Sequence, residues 1–177
     1  IESISIVPML AMGNAMSTFT AQNVGAGQLE RVKKGYRMCY AAVLSAGAFL
    51  CVLYQLFGNV FVSAFLDAGN GSAAFQTGLD YVKFLSFFYA FIGLKASTDG
   101  LLRGAGDVKA FTVANLVNLS IRVIVTNVFA PVYGIQVAWM AVPMGWAANY
   151  VISFGWYLTG RWRGKWEKAG RNDKFMY

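Results

Sequence analysis

Histidine is absent from all 177 residues, cysteine occurs twice and proline three times. Without histidine the chain lacks the commonest general base and metal ligand. Cys39 and Cys51 fall on one expected helix, where twelve positions correspond to roughly 18 Å, too far for a disulfide. They read as small apolar packing residues. No metal-ligand spacing, phosphate loop or nucleophile–base arrangement occurs, so neither an enzyme nor a resident cofactor is expected. Charge is also scarce, at 13% of residues against 57% apolar, a balance unusual for a soluble domain of this size. The net charge of +7 raises the question of nucleic acid. The placement of the basic residues gives a better account, and no nucleic-acid partner is expected.

Five long apolar stretches fill the chain, at about 3–25, 38–66, 81–102, 110–130 and 135–160. Each is long enough for a helix to cross a ~30 Å hydrocarbon layer. The alternating short segments of a closed barrel are absent, so the expected class is all-α, a polytopic bundle of five transmembrane helices in a lipid bilayer. Basic residues sit on alternate connections. Arg31, Lys33, Lys34 and Arg37 follow the first span, Arg103 and Lys109 the third, and the tail 161–177 carries six more. The connections 67–80 and 131–134 have none. The positive-inside rule then places the basic loops and the C-terminal tail in the cytoplasm. The chain begins at Ile1 directly in an apolar stretch, and is expected to be the C-terminal piece of a longer membrane protein.

Polar residues inside the spans are the candidate cavity lining. Asn14, Thr18 and Gln22 recur every four positions on the first span, beside a stripe of Met9, Met12 and Met16. They serve equally well as hydrogen-bonding glue between helices. Lys95 and Asp99 are four apart on the third span and can pair. Asn115, Asn118 and Arg122 share a face of the fourth span. Counting from the inner turns, Arg122 lies roughly 18 Å deep, Asp99 about 6 Å, Glu2 about 34 Å and Asn14 roughly 16 Å. No acid matches the depth of Arg122, whereas Asn14 does. In the second span, Ala42 and Ala46, with Ala41 and Ser45, give a spacing suited to close helix approach. Residues 28–34 read as a short amphipathic segment lying on the interface before that span. Loop 67–80 reads as mobile, and the tail after Gly160 as interfacial and then disordered. Pro8 and Pro143 are placed to bend the first and last spans.

The run Thr18-Phe19-Thr20-Ala21-Gln22-Asn23-Val24-Gly25-Ala26-Gly27-Gln28-Leu29-Glu30-Arg31-Val32-Lys33-Lys34-Gly35 resembles a hallmark of the multidrug and toxic compound extrusion (MATE) family. Leu101-Leu102-Arg103-Gly104-Ala105-Gly106-Asp107 is similar to that family's later Leu-Arg-Gly-x-Gly-Asp turn. Tyr133-Gly134-Ile135 and Pro143-Met144-Gly145-Trp146 are similar to its last hairpin. Their order fits the eighth to twelfth of twelve helices, most of the second six-helix lobe. The resemblance implies a secondary antiporter of the plasma membrane, in bacteria the inner membrane. Proton or sodium entry would drive export of drugs or other amphipathic compounds. The implied partners are the N-terminal lobe of the same chain, the bilayer and the small-molecule substrate. The fragment alone is not expected to transport. One departure stands out: some members carry an acid near the middle of the helix matching 81–102, where this chain reads Phe91-Ile92-Gly93-Leu94-Lys95. Coupling carboxylates are therefore expected in the other lobe. Two other readings stay open. One is a lipid-linked oligosaccharide or polysaccharide flippase, which the cationic Lys95 and Arg122 would suit. The other is a non-transporting membrane scaffold subunit.

Overall fold

A computed structural model of the chain describes residues 1–66 and 72–163. Among the described residues there is no strand. The chain runs through α1 (Glu2–Gly25), α2 (Leu29–Ser63), α3 (Ala73–Ser86), α4 (Tyr89–Gly104) and α5 (Val108–Ile124). A π-helical stretch at Val125–Phe129 leads into a short α6 (Ala130–Tyr133), and α7 (Ile135–Leu158) follows. Among the described residues, three stretches are long and apolar enough to cross a membrane: Glu2–Gly25, Leu29–Ser63 and the continuous run Val108–Tyr133. α7 is as long as α1, at 24 residues.

Several elements differ from the sequence expectation. Residues 28–34 are not a separate interfacial segment; Gln28 precedes, and residues 29–34 form, the first turns of a single 35-residue helix. No proline or paired glycine stops the chain between Leu29 and Ser63, and Lys33 pairs with Glu30 along the helix surface. The expected 81–102 span is two helices, with Phe87 and Phe88 as a kink whose backbone stays in the right-handed helical region. Part of the expected mobile loop is the start of α3, whose end is closed by Ser72 Oγ accepting from the Phe75 amide at 3.2 Å. Pro131 lies within α6, and Gly134, at φ +90°, makes the reversal into α7. α1 and α7 run unbroken through Pro8 and Pro143. Asn70, Gly71 and the tail beyond Arg163 lie outside the described residues.

Two helix ends share one chemistry. Gly25-Ala26-Gly27 and Gly104-Ala105-Gly106 each close a helix with the same bond ladder. The Gln28 amide donates to the Asn23 carbonyl at 2.7 Å, and the Asp107 amide to the Leu102 carbonyl at 2.8 Å. Gly27 (φ +69°) and Gly106 (φ +77°) take the left-handed conformation that this closure needs.

α4 is the hub, packed on α1, α2, α5 and α7. Missing side chains make the closest approaches. A Cβ on residue 100 would stand 2.1 Å from the Gly13 carbonyl oxygen, and one on residue 104 would stand 2.2 Å from that of Ser17. On the other side of α4, a Cβ on Gly47 would stand 2.8 Å from the Ala90 Cα. The close approach of α2 is therefore made by Gly47; of the small residues expected there, Ala46 is half-buried against the core, whereas Ala41, Ala42 and Ser45 are exposed.

Candidate functional site

The pairing of Gly13 with Gly100 and of Ser17 with Gly104 shows α1 and α4 running side by side in the same direction. From Ser17, α1 continues eight more residues, to Gly25, past the level where α4 ends. That stagger is about 12 Å. Depth counted from the turns therefore does not carry from one helix to another. Asn14, which the count sets level with Arg122, instead accepts a 2.8 Å hydrogen bond at Oδ1 from the guanidinium of Arg103.

Where α4, α5 and α7 meet, polar side chains form one network. Lys95 Nζ lies 3.0 Å from Asp99 Oδ2 and donates to Asn115 Oδ1 at 3.0 Å. Asn115 Nδ2 donates to the same Asp99 oxygen at 3.2 Å and to the Phe111 carbonyl at 2.8 Å. The other oxygen, Asp99 Oδ1, accepts from Ser153 Oγ at 2.7 Å. Asn149, fully buried one turn before Ser153, lies 3.4 Å from that hydroxyl through its Oδ1, and its Nδ2 has no partner among the described residues. Only 6% of the Asp99 side chain and 14% of Lys95 is exposed, so the pair lies out of solvent. A buried carboxylate of this kind requires its cation and its hydrogen bonds together. Ser153 and Asn149 were not foreseen, although their four-residue spacing within an apolar helix was a visible signal.

A second cluster adjoins the first on α4. Thr98 Oγ1 lies 2.8 Å from the Tyr36 hydroxyl and 2.7 Å from that of Tyr40. Tyr36 and Tyr40 bond each other, and Tyr40 reaches Tyr150 on α7 at 3.5 Å. Aromatic residues placed on α2 and α7 thus bring hydroxyls to the face of α4 next to Asp99.

The remaining candidates lie apart. Thr18 and Gln22 are exposed on α1, and neither side chain makes a hydrogen bond among the described residues. Asn118 packs against Gly145, where a Cβ would stand 2.2 Å from its Oδ1, and that buried oxygen has no partner among the described residues. Arg122 is exposed, with its stem along Gly145 and no ion pair among the described residues. Elsewhere in the bundle, the Tyr81 hydroxyl donates to Glu2 Oε2 at 2.6 Å. Among the described residues, no cluster of three His, Cys, Asp or Glu side chains could hold a metal ion.

Comparison with known proteins agrees with this architecture. A solved structure titled "Inward-facing conformation of a multidrug resistance MATE family transporter of the MOP superfamily" superposes with a TM-score of 0.76 at 16% identity, covering 86% of this chain and 34% of that one. The chain is 29% identical over 164 residues to "Probable multidrug resistance protein YpnP" of Bacillus subtilis (strain 168), covering 92% of this chain and 36% of the relative. It is 28% identical over 111 residues to "Probable multidrug resistance protein NorM" of Mesorhizobium japonicum, covering 62% of this chain and 24% of that relative. The chain thus spans about a third or less of the length of these relatives. The MatE family model matches residues 1–129, well over half the sequence. This all-α, polytopic membrane helix bundle therefore belongs to the MatE family.

Proposed function

We propose that the chain forms part of a membrane exporter that moves drugs or other amphipathic compounds outward in exchange for protons or sodium ions. Its substrate path would run between this bundle and a further lobe. Its membrane would be the plasma membrane, the inner one in bacteria, with the C-terminus in the cytoplasm. Family membership and two relatives named as multidrug resistance proteins support this reading. The observation that carries it is the buried Lys95–Asp99 pair. Replacing such a pair by packed apolar residues is often neutral or stabilising, so retaining ions in an apolar bundle favours a functional role. Asp99 already holds a cation, the Lys95 ammonium. From the sequence, coupling carboxylates are expected in the other lobe; departing from that expectation, Asp99 joins the coupling path, where an arriving ion would displace Lys95 toward Asn115 Oδ1, which Lys95 contacts already. Asn14, Thr18, Gln22, Asn118 and Arg122 belong to the proposed cavity lining along with Lys95, Asp99 and Asn115.

The test is dye efflux from membrane vesicles in which this chain completes a twelve-helix transporter. Asp99→Asn should reduce ethidium export driven by a proton or sodium gradient by about tenfold or more at equal membrane abundance. Unchanged gradient dependence in that variant would remove Asp99 from the coupling path. Arg122 supports a second reading, because an exposed cation within a membrane helix suits an anionic substrate. Vesicles that translocate lipid-linked saccharide and ignore the dye would favour a flippase instead.

A further inference from the structure

Between α1 and α2 lies a cleft of about 930 Å³, at the upper end of the roughly 300–1,000 Å³ range of pockets that enclose small molecules. Its walls are apolar: Met12, Met16 and Phe19 from one helix, Met38, Cys39 and Ala42 from the other. Its polar lining is gathered at one end, by the α1–α2 turn: Gln28, Glu30, Arg31 and Lys34. Glu30 is held in an ion pair with Lys33, which offsets its charge. Arg31 and Lys34 are exposed and have no acidic partner among the described residues. The polar end is therefore cationic. It repels the amphipathic cations that a drug exporter would carry, and it attracts an anion with an apolar body.

The dimensions match a lipid. From the turn at Gly25 to Met12, α1 rises about 20 Å, comparable with one leaflet of a ~30 Å hydrocarbon layer plus its headgroup margin. Methionine walls suit an acyl chain, since the flexible thioether adapts to irregular contours. We propose that this cleft binds one anionic phospholipid, with its phosphate at Arg31 and Lys34 and an acyl chain along Met12, Met16 and Met38. The lipid would fill the space between two helices that both lean on α4.

Native mass spectrometry of the purified transporter that this chain completes, delipidated and then mixed with phosphatidylglycerol or phosphatidylcholine, tests this directly. Wild type should retain one phosphatidylglycerol in preference to phosphatidylcholine. The double variant Arg31→Gln/Lys34→Gln should lose that preference by about tenfold. Ala42→Phe, a substitution at an exposed wall position, should reduce retention of both lipids. Lys109→Gln, on a different connection, should change neither. Equal retention by wild type and the double variant, or an equal loss in Lys109→Gln, would overturn the site. A phosphatidylglycerol bearing a photoreactive group on its acyl chain should cross-link to Met12, Met16 or Met38 in nanodiscs. Labelling spread evenly over the exposed face of α5, or cross-links from Met38→Cys to a second copy of the chain, would overturn it too, the latter by giving the cleft to protein.

Discussion

Removing the Asp99 carboxylate would strand an ammonium inside an apolar bundle. Asp99→Asn should therefore destabilise the fold by about 3–5 kcal/mol, the usual cost of leaving one member of a buried pair behind. Lys95→Met/Asp99→Leu, which removes both charges, should cost far less. Unfolding in detergent can be followed by the reactivity of the buried Cys39 thiol. If both variants lost the same stability, the pair would not be electrostatically coupled. At this scale the sequence was informative about partners within one helix and silent about partners across helices. Lys95 and Asp99 share a face because they are four apart, and helical geometry alone brings them together. Ser153, Asn115 and Arg103 find their partners through rotation and axial stagger, which no spacing along one helix encodes.

The elements are positioned by glycine where helices touch and by glycine where they end, and these two roles should differ in their sensitivity to mutation. Gly100→Ala places a methyl group against the Gly13 backbone carbonyl, and neither backbone can yield without separating α1 from α4. Strain of this kind costs typically 1–3 kcal/mol and more where backbone meets backbone. Gly106→Ala meets open space and bears only the left-handed backbone penalty, about 1 kcal/mol. Melting temperatures in detergent should therefore rank wild type, Gly106→Ala, Gly100→Ala in descending order, and the reverse order of the two variants would sink the packing argument. α2 gives a second test. Spin labels stepped through residues 30–37 should show accessibility with a period near 3.6, in phase with residues 38–45. A break in phase at 37 would restore a separate interfacial segment. The sequence suggested two elements there because its charge changes abruptly at Met38. Charge reports the surrounding solvent, whereas helix continuity depends on the absence of a breaker.

For the molecule as a whole, the distribution of basic residues predicts a topology that labelling can check. With Cys39 and Cys51 replaced, a cysteine at Ser72 should react with an impermeant maleimide from outside intact cells. Cysteines at Lys34 and Lys109 should react only after permeabilisation. Ser72 and Lys34 reacting from one side would contradict the alternation of loops. The same whole-molecule view explains the staggered ends. α1 extends about 12 Å past the end of α4, so the α1–α2 turn projects beyond the α4–α5 turn. That projection opens the amphipathic cleft and places Asn14 beside Arg103.

The sequence by itself determined that the chain is helical, that lipid is its solvent, and where the Gly-Ala-Gly reversals fall. Hydropathy and turn chemistry are local properties, legible in windows of a few residues. Only the tertiary structure decided which cation meets which acceptor, that Gly47 rather than the alanine-rich stretch brings α2 close, and that helix depth cannot be counted from loops. Those outcomes depend on how far one helix slides past another. That displacement is set by glycines meeting backbone across the interface, through contacts between residues some eighty to ninety positions apart in the chain for α1 and α4.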